Sequence, residues 1–181
     1  MTSETAAVAS SEAFRQGMRA LAGSVCVVAA NGADGAPVGL TATAVTSLSA
    51  DPPSLIVCVN RNASIAAALG QGAQFSVNLL ALGQEEVAQA FGGQKAAKGV
   101  ARFAFGDWIR SAQDIPLLMG ANVSFECEVA QVTDWATHHI VIGLIRDARF
   151  AQAQTAALVY HQGRYGSVGT TPRAPKEDGD V

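Results

Sequence analysis

The segment Gly39–Asp51 reads GLTATAVTSLSAD. Taken as a strand of period two, it puts Thr41, Thr43, Val45, Ser47 and Ser49 on one face. Ala42, Ala44, Thr46 and Leu48 fall on the other. An edge strand accounts for the threonines, because branched side chains fit a pleated surface. It accounts less well for the shortage of bulk. A flat ring pressed against backbone needs small neighbours, so that amides and hydroxyls can reach its polar edge. An isoalloxazine has such an edge. A second cluster follows at Asn60-Arg61-Asn62-Ala63-Ser64. There the pattern NASIAAAL predicts a short helix over 62–69, closed by Gly70. A helix start offers free N–H groups and a positive dipole end to an anion, and Arg61 adds charge. Capping by Asn62 explains the same residues. Together the two segments could offer ring and phosphate sites on adjacent strand ends.

Other chemistry is missing from the sequence. No GxGxxG follows a strand, and there is no Walker loop and no GxSxG elbow. His138, His139 and His161 do not make a metal site: neighbours on a strand diverge, and no carboxylate stands at useful spacing. Cys26, Cys58 and Cys127 are odd in number and irregular in spacing, so they read as small apolar core residues. Glu126 and Glu128 share one face of an alternating strand, which reads as a solvated face rather than an acid–base pair.

The elements that would carry these residues are mostly strands. Phe14, Met18 and Leu21 predict a short amphipathic helix over 12–21, ended by Gly23. Strands are expected at Val25–Ala30 and, after the NGADG turn, from about Pro37 into the Gly39–Ser49 segment. Asp51-Pro52-Pro53 breaks that strand. Leu55–Val59 is a continuous apolar run, as in a strand covered on both faces. Phe75–Leu80, Val123–Val129, His139–Phe150 and Ala157–His161 continue the series, with a short helix at Gln84–Phe91. The stretch Gly92–Pro116 has weak periodicity and Trp108 as a candidate anchor. Short strands, few helices and regular turn signals predict an antiparallel barrel or sandwich.

The chain has 181 residues, 49% hydrophobic and 15% charged, with a formal net charge of −3. That suits one core and gives no basic stripe for nucleic acid. No apolar run is long enough to span a membrane and no signal peptide is evident, so a cytoplasmic location is expected. The expected organisation is a flexible 1–11, one domain over 12–169 and a disordered tail, 170–181. Apolar Leu55–Val59 and Ile140–Ile145 exceed what one small barrel buries on both faces, which predicts a homodimer.

The run LTATAVTSLSADPPSLIVCVNRNAS resembles the signature of the short-chain flavin reductase family. These are reductase components of two-component flavin monooxygenases, of the 4-hydroxyphenylacetate monooxygenase reductase kind. The resemblance continues through FSVNLL from Phe75, AFGG from Ala90, FECE from Phe125, Thr137-His138 and YHQGRY from Tyr160. It implies a mainly β fold: an FMN-binding split β-barrel, antiparallel and Greek-key, with a few short helices. It implies reduction of FMN or FAD by NADH or NADPH, with reduced flavin passed to a partner monooxygenase. By the same resemblance, Thr41, Ala42, Thr43, Ala44, Ser47 and Leu48, with Phe91, would line the ring and ribityl chain. Asn60, Arg61 and Ser64 would approach the phosphate, and His138, Arg164 and Tyr165 the nicotinamide. The chain departs from the family at Ala136-Thr137-His138, where many members read Gly-Asp-His. That departure removes a turn glycine and a carboxylate beside the histidine. Two other readings keep the barrel: a flavin-binding module without efficient NAD(P)H turnover, and a pyridoxamine-phosphate-oxidase-like protein, for which basic residues are few.

Overall fold

The computed structural model describes residues 9–153 and 155–169. The expectations for the tail from Thr170 and for residues 1–8 fall outside these. Helix α1, Ser11–Arg19, is capped by the Ser10 hydroxyl, which accepts from the Ala13 N–H at 3.2 Å. Gly23, expected to end that helix, instead begins β1, Gly23–Ser24. Then come β2, Cys26–Asn31, β3, Pro37–Ala42, β4, Val45–Ala50, and β5, Pro53–Asn60. Strand β6, Gln74–Leu79, precedes helix α2, Glu85–Phe91. A short hairpin follows, β7, Trp108–Arg110, and β8, Pro116–Leu118. The long strands β9, Val123–Trp135, and β10, His138–Phe150, lead to β11, Ala157–His161, and β12, Arg164–Val168.

One sheet has the order β3-β2-β6-β9-β10-β5-β4, with all of its pairings antiparallel. The segment expected as one strand over Gly39–Ser49 is therefore two. Its halves form opposite edges of a seven-stranded sheet, yet only Thr43 and Ala44 separate them. Laid flat, the edges would stand about 29 Å apart at ~4.8 Å per strand. Three Cα steps from Ala42 to Val45 reach at most about 11 Å. The sheet must roll up. It leaves its edges adjacent but unpaired, which is an antiparallel barrel with a split.

Rolling gives the sheet an inside and an outside. Cys26, Val28, Ala42, Leu55, Val57, Phe75, Val77, Cys127 and Val141 fill the inside. The alternate residues Val25 and Val27 join Leu80, Val87, Phe91, Leu118 and Leu158 in an outer core beneath α2, β8 and β11. Strand β2 is thus buried on both faces. On β5 the inward residues are sealed, while Ile56 and Cys58 are half-buried. The outer face beside them also holds a polar row. Ser76 Oγ donates to the Pro116 carbonyl at 2.6 Å, and Asn78 Oδ1 accepts from the Leu118 N–H at 2.9 Å. These bonds fasten the β7–β8 hairpin to the sheet. Glu126 belongs to this row and is only 6% exposed, which corrects the solvated face expected from the sequence.

Two backbone positions are decisive. A Cβ at Gly39 would lie 2.9 Å from Phe91 Cε1 and 2.9 Å from the Val28 carbonyl. Gly39 therefore lets Phe91 lie against β3. Ala136, in the turn between β9 and β10, has φ of +48°, so the turn survives without its glycine at a conformational cost. Gly39→Ala should destabilise the protein by about 1–3 kcal/mol through overpacking. Ala136→Gly should stabilise it by roughly 0.5–1 kcal/mol as the left-handed strain is relieved. Urea unfolding midpoints measure both; an unchanged midpoint for Gly39→Ala would refute the close packing of Phe91.

Candidate active-site cleft

At the split, the end of β3, the Thr43–Ala44 link, the end of β5, the start of β10 and the end of α2 enclose a cleft of about 290 Å³. Leu40, Thr41, Ala42, Thr43 and Ala44 line one side. Asn60 and Cys58 come from β5, Phe91 and Gly92 from α2, and His138 from β10. The sheet register places His138 directly opposite Asn60. Small side chains at Ala42, Ala44 and Gly92 leave backbone accessible. Thr41 Oγ1 donates to the Ala88 carbonyl at 2.7 Å, so its hydroxyl ties β3 to α2. Thr43, which is exposed, makes no side-chain hydrogen bond among the described residues. Behind the cleft, Phe91 packs edge-on to Phe103 at 4.9 Å and tilted to Trp108 at 5.4 Å. Trp108 does anchor the irregular stretch, and Phe91 is held rigid.

The Asn60–Ser64 cluster folds differently from expectation. No α-helix begins there; turns lead into a single 3-10 turn, Ala66–Ala68. Asn60 Oδ1 accepts from the Asn62 N–H at 2.9 Å, so Asn60 and not Asn62 makes the local turn bond. Arg61 does not line the cleft. Its guanidinium lies 3.7 Å from Asp134 and 3.4 Å from the Ala136 carbonyl, and its backbone N–H donates to the Thr137 carbonyl. Both partners of that ion pair are about half exposed, at 49% and 55%, so the contact holds Arg61 only weakly. Ser64 is exposed and outside the cleft.

The histidines separate as a strand requires. His139 Nδ1 lies 2.6 Å from Asp134 Oδ1, on the opposite side from His138. His138 Nδ1 lies 2.9 Å from Thr137 Oγ1. The lost carboxylate is thus replaced by a hydroxyl, which partners either tautomer of the ring. Sequence reasoning took Thr137 only as a lost carboxylate, and missed Leu40, Cys58 and Gly92 in the cleft wall. Antiparallel register across β5 and β10 is the signal that would have found Cys58.

Besides Arg61 and Ser64, four more expected residues are not brought to the cleft. Ser47 and Leu48 sit exposed on β4, at a register shift. Arg164 and Tyr165 lie on β12 and, as strand neighbours, point apart. The Tyr165 ring stacks edge-on to Tyr160 at 5.1 Å. Burial, then Tyr160 and Glu85, raise its phenol above the ordinary value, so it stays neutral. The tip of the β11–β12 hairpin, with His161 and Gly163, instead lines a larger groove of about 650 Å³. The apolar residues of α1 form another wall of that groove, and Thr43 and Ala44 border it as well as the cleft.

Burial pushes the thiols of Cys26 and Cys127 up to about 12, with Glu126 adding to the rise at Cys127. Neither forms a thiolate, as core cysteines should not. Among the described residues no His, Cys, Asp or Glu cluster fits a metal ion.

The chain is similar to known proteins over most of its length. The profile described as "Flavin reductase like domain" matches residues 18–169. The chain is 40% identical over 175 residues to "FMN reductase (NADH) RutF 1" of Methylorubrum extorquens, covering 96% of this chain and 84% of the relative. The solved structure of BorF, the flavin reductase component of a bacterial two-component tryptophan halogenase, superposes with a TM-score of 0.79. Its identity is 31%, over 90% of this chain and all of BorF (100%). The Streptomyces globisporus NADH:FAD oxidoreductase SgcE6, solved with NAD and FAD fragments, gives 0.76 at 26% identity, over 96% and 100% of the two chains. A rolled, split sheet with its cleft at the split, matched over most of its length by these sequences and structures, makes this chain a member of the flavin reductase-like domain family.

Proposed function

We propose that this protein is an NADH-dependent flavin reductase acting on FMN. The observation that carries the reading is the convergence of Thr41–Ala44, Asn60, Phe91 and His138 on one small-residue cleft. The site fits a flavin: Ala42, Ala44 and Gly92 leave room for a flat ring, and Thr43 and Asn60 supply polar groups at its edge. When bound, the flavin supplies the atom that accepts the hydride and the ring system that holds the electron pair. The protein's part is positioning. Phe91, locked by Phe103 and Trp108, fixes one wall, while His138, held by Thr137, orients the nicotinamide. Stacking at roughly 3–3.5 Å is the geometry that matters, which is why no acid–base dyad is required. Arg61 reaches the phosphate by leaving Asp134, a surface pair that costs about 1 kcal/mol or less to break. Arg164 and Tyr165 complete the nicotinamide side only by approach of the β12 region, directly or from a second subunit.

FMN and NADH are the pair of the 40%-identical relative, NADH and FAD that of the more distant SgcE6, and BorF belongs to a two-component system rather than a self-contained enzyme. The protein hands reduced flavin to a flavin-dependent monooxygenase. Two sealed thiols and no disulfide among the described residues suit the reducing cytoplasm. The rival reading, a flavin-holding module without turnover, does not account for a positioned histidine at the cleft.

A homodimer is part of the proposal. Outside β5 and β10, Cys58 pairs with Ile140 and Ile56 with Ile142, followed by Leu144. All five are only half-buried, and the row runs straight on from Asn60 and His138. A partner subunit laid on it would cover apolar surface and border the cleft. Phe14 and Met18 on α1, and Leu21 just beyond it, are likewise uncovered.

Purified protein with FMN should oxidise NADH well above the uncatalysed rate, followed by loss of NADH absorbance; no acceleration with either flavin sinks the proposal. Ala44→Leu should weaken FMN binding about tenfold or more by filling the cleft. His138→Ala should slow reduction about tenfold while leaving FMN affinity nearly unchanged. Sedimentation should give a dimer for the native protein and a monomer for Ile142→Glu; a native monomer at micromolar concentration removes the dimer claim.

A further inference from the structure

Far from the cleft, the outer face carries a second pocket of about 420 Å³. It lies between the β7–β8 hairpin, represented by Gln113 and Ile115, and the sheet. His138 starts β10, whereas Asp147 and Arg149 lie near its far end. At ~3.3 Å per residue the nine steps from His138 to Asp147 measure at most about 30 Å along the strand, the length of β10 separating pocket from cleft.

The floor of this pocket is unusual. Glu126 is only 6% exposed and accepts no hydrogen bond or ion pair among the described residues. Its oxygens are nonetheless not sealed off, and the residue lines the cavity. Its cross-strand neighbour is Asp147, a second carboxylate on the same face. Like charges directly opposite repel, so the pair calls for a cation between them. The local arginines do not meet that need. Arg146 is taken by Glu128, at 3.0–3.1 Å. Arg149, which is opposite Ser124 and also lines the pocket, makes no ion pair among the described residues. One end of the pocket therefore lacks a cation and the other lacks an anion. Two carboxylates alone, in a space of this size, do not assemble a metal site.

We infer that this pocket binds a small organic zwitterion, with its ammonium between Glu126 and Asp147 and its carboxylate on Arg149. Residues one step apart diagonally across two strands stand about 7–8 Å apart, so the ligand's charges are separated by a chain rather than by one carbon. Ligands of the ω-amino-acid class meet this description. The site is independent of the reductase reading: nothing in the pocket touches the cleft.

The test is titration calorimetry of the full chain with ε-aminocaproate, against hexylamine, hexanoate and glycine. Saturable binding of ε-aminocaproate, weaker by about tenfold for each of the other three, is expected. Glu126→Gln and Arg149→Gln should each lose about tenfold in affinity, with NADH oxidation unchanged. Circular dichroism melting establishes that Glu126→Gln is folded, and exposed Arg149 provides a variant that does not disturb the core. Absence of saturable binding overturns the inference. So does equal binding of hexylamine or hexanoate, or an Arg149→Gln protein that binds as the native one does.

Discussion

Two residues, Thr43 and Ala44, join the opposite edges of a seven-stranded sheet. A link that short is a distance constraint on the whole molecule. It forces the sheet to roll, places Ala42 and Val57 against one interior, and leaves a seam that no ladder closes. The seam is where strand ends, an unpaired backbone link and the end of α2 meet. A cleft there follows from topology before any side chain is considered. The side chains then decide what it holds: small ones at the link preserve the space, and Phe91 gives it a hard wall.

The second constraint is that the sheet is covered on its outside by unlike layers. Helix α2 covers β2 and β3 with apolar contacts. The β7–β8 hairpin covers β6 and β9 through buried hydroxyls and an amide. Among the described residues every polar side chain buried there is hydrogen-bonded except at the margin, where Glu126 opens onto a pocket. Along the outer row of β5 and β10, from Cys58 and Ile140 to Leu144, the cover is only partial. One sheet thus has an apolar, a polar and a half-covered sector on a single face.

Most strands were legible, because buried β sequences announce themselves through runs of Val, Ile and alternating residues. Ala157–His161 agrees with its reading to the residue, and Phe75–Leu80 lies within one residue of it. Thr41–Ala44 and Asn60, expected at the flavin, and His138, expected at the nicotinamide, were named through the family resemblance, and they do meet in one cleft. What stayed hidden depended on three dimensions. The break within Gly39–Ser49 was hidden because alternation continues across a kink that only pairing partners reveal. The supposed helix at 62–69 failed because three alanines favour helix locally, while Asn60 captures the Asn62 amide and starts a turn instead. Glu126 looked solvated because strand alternation gives a face, not what covers it. Thr137 was read as the loss of an acid, when the hydroxyl keeps the hydrogen bond and gives up only the charge.

The edge strand β4 gives the hydroxyl-rich segment a second meaning. Its outer half, Thr46 to Ser49, does not touch the cleft, yet it borders open solvent along an unpaired ladder. An exposed strand edge is a template on which another chain can grow a sheet. Here the register shifts between Ser47 and Ser49, and the Ser49 hydroxyl is bonded to the Asp51 carbonyl at 2.8 Å. Two prolines follow immediately. A kinked, polar edge of this kind is a poor seed for aggregation. One continuous stretch of sequence therefore shapes the cleft at the split with its first half and, with its second, presents a strand edge ill-suited to pairing with another chain.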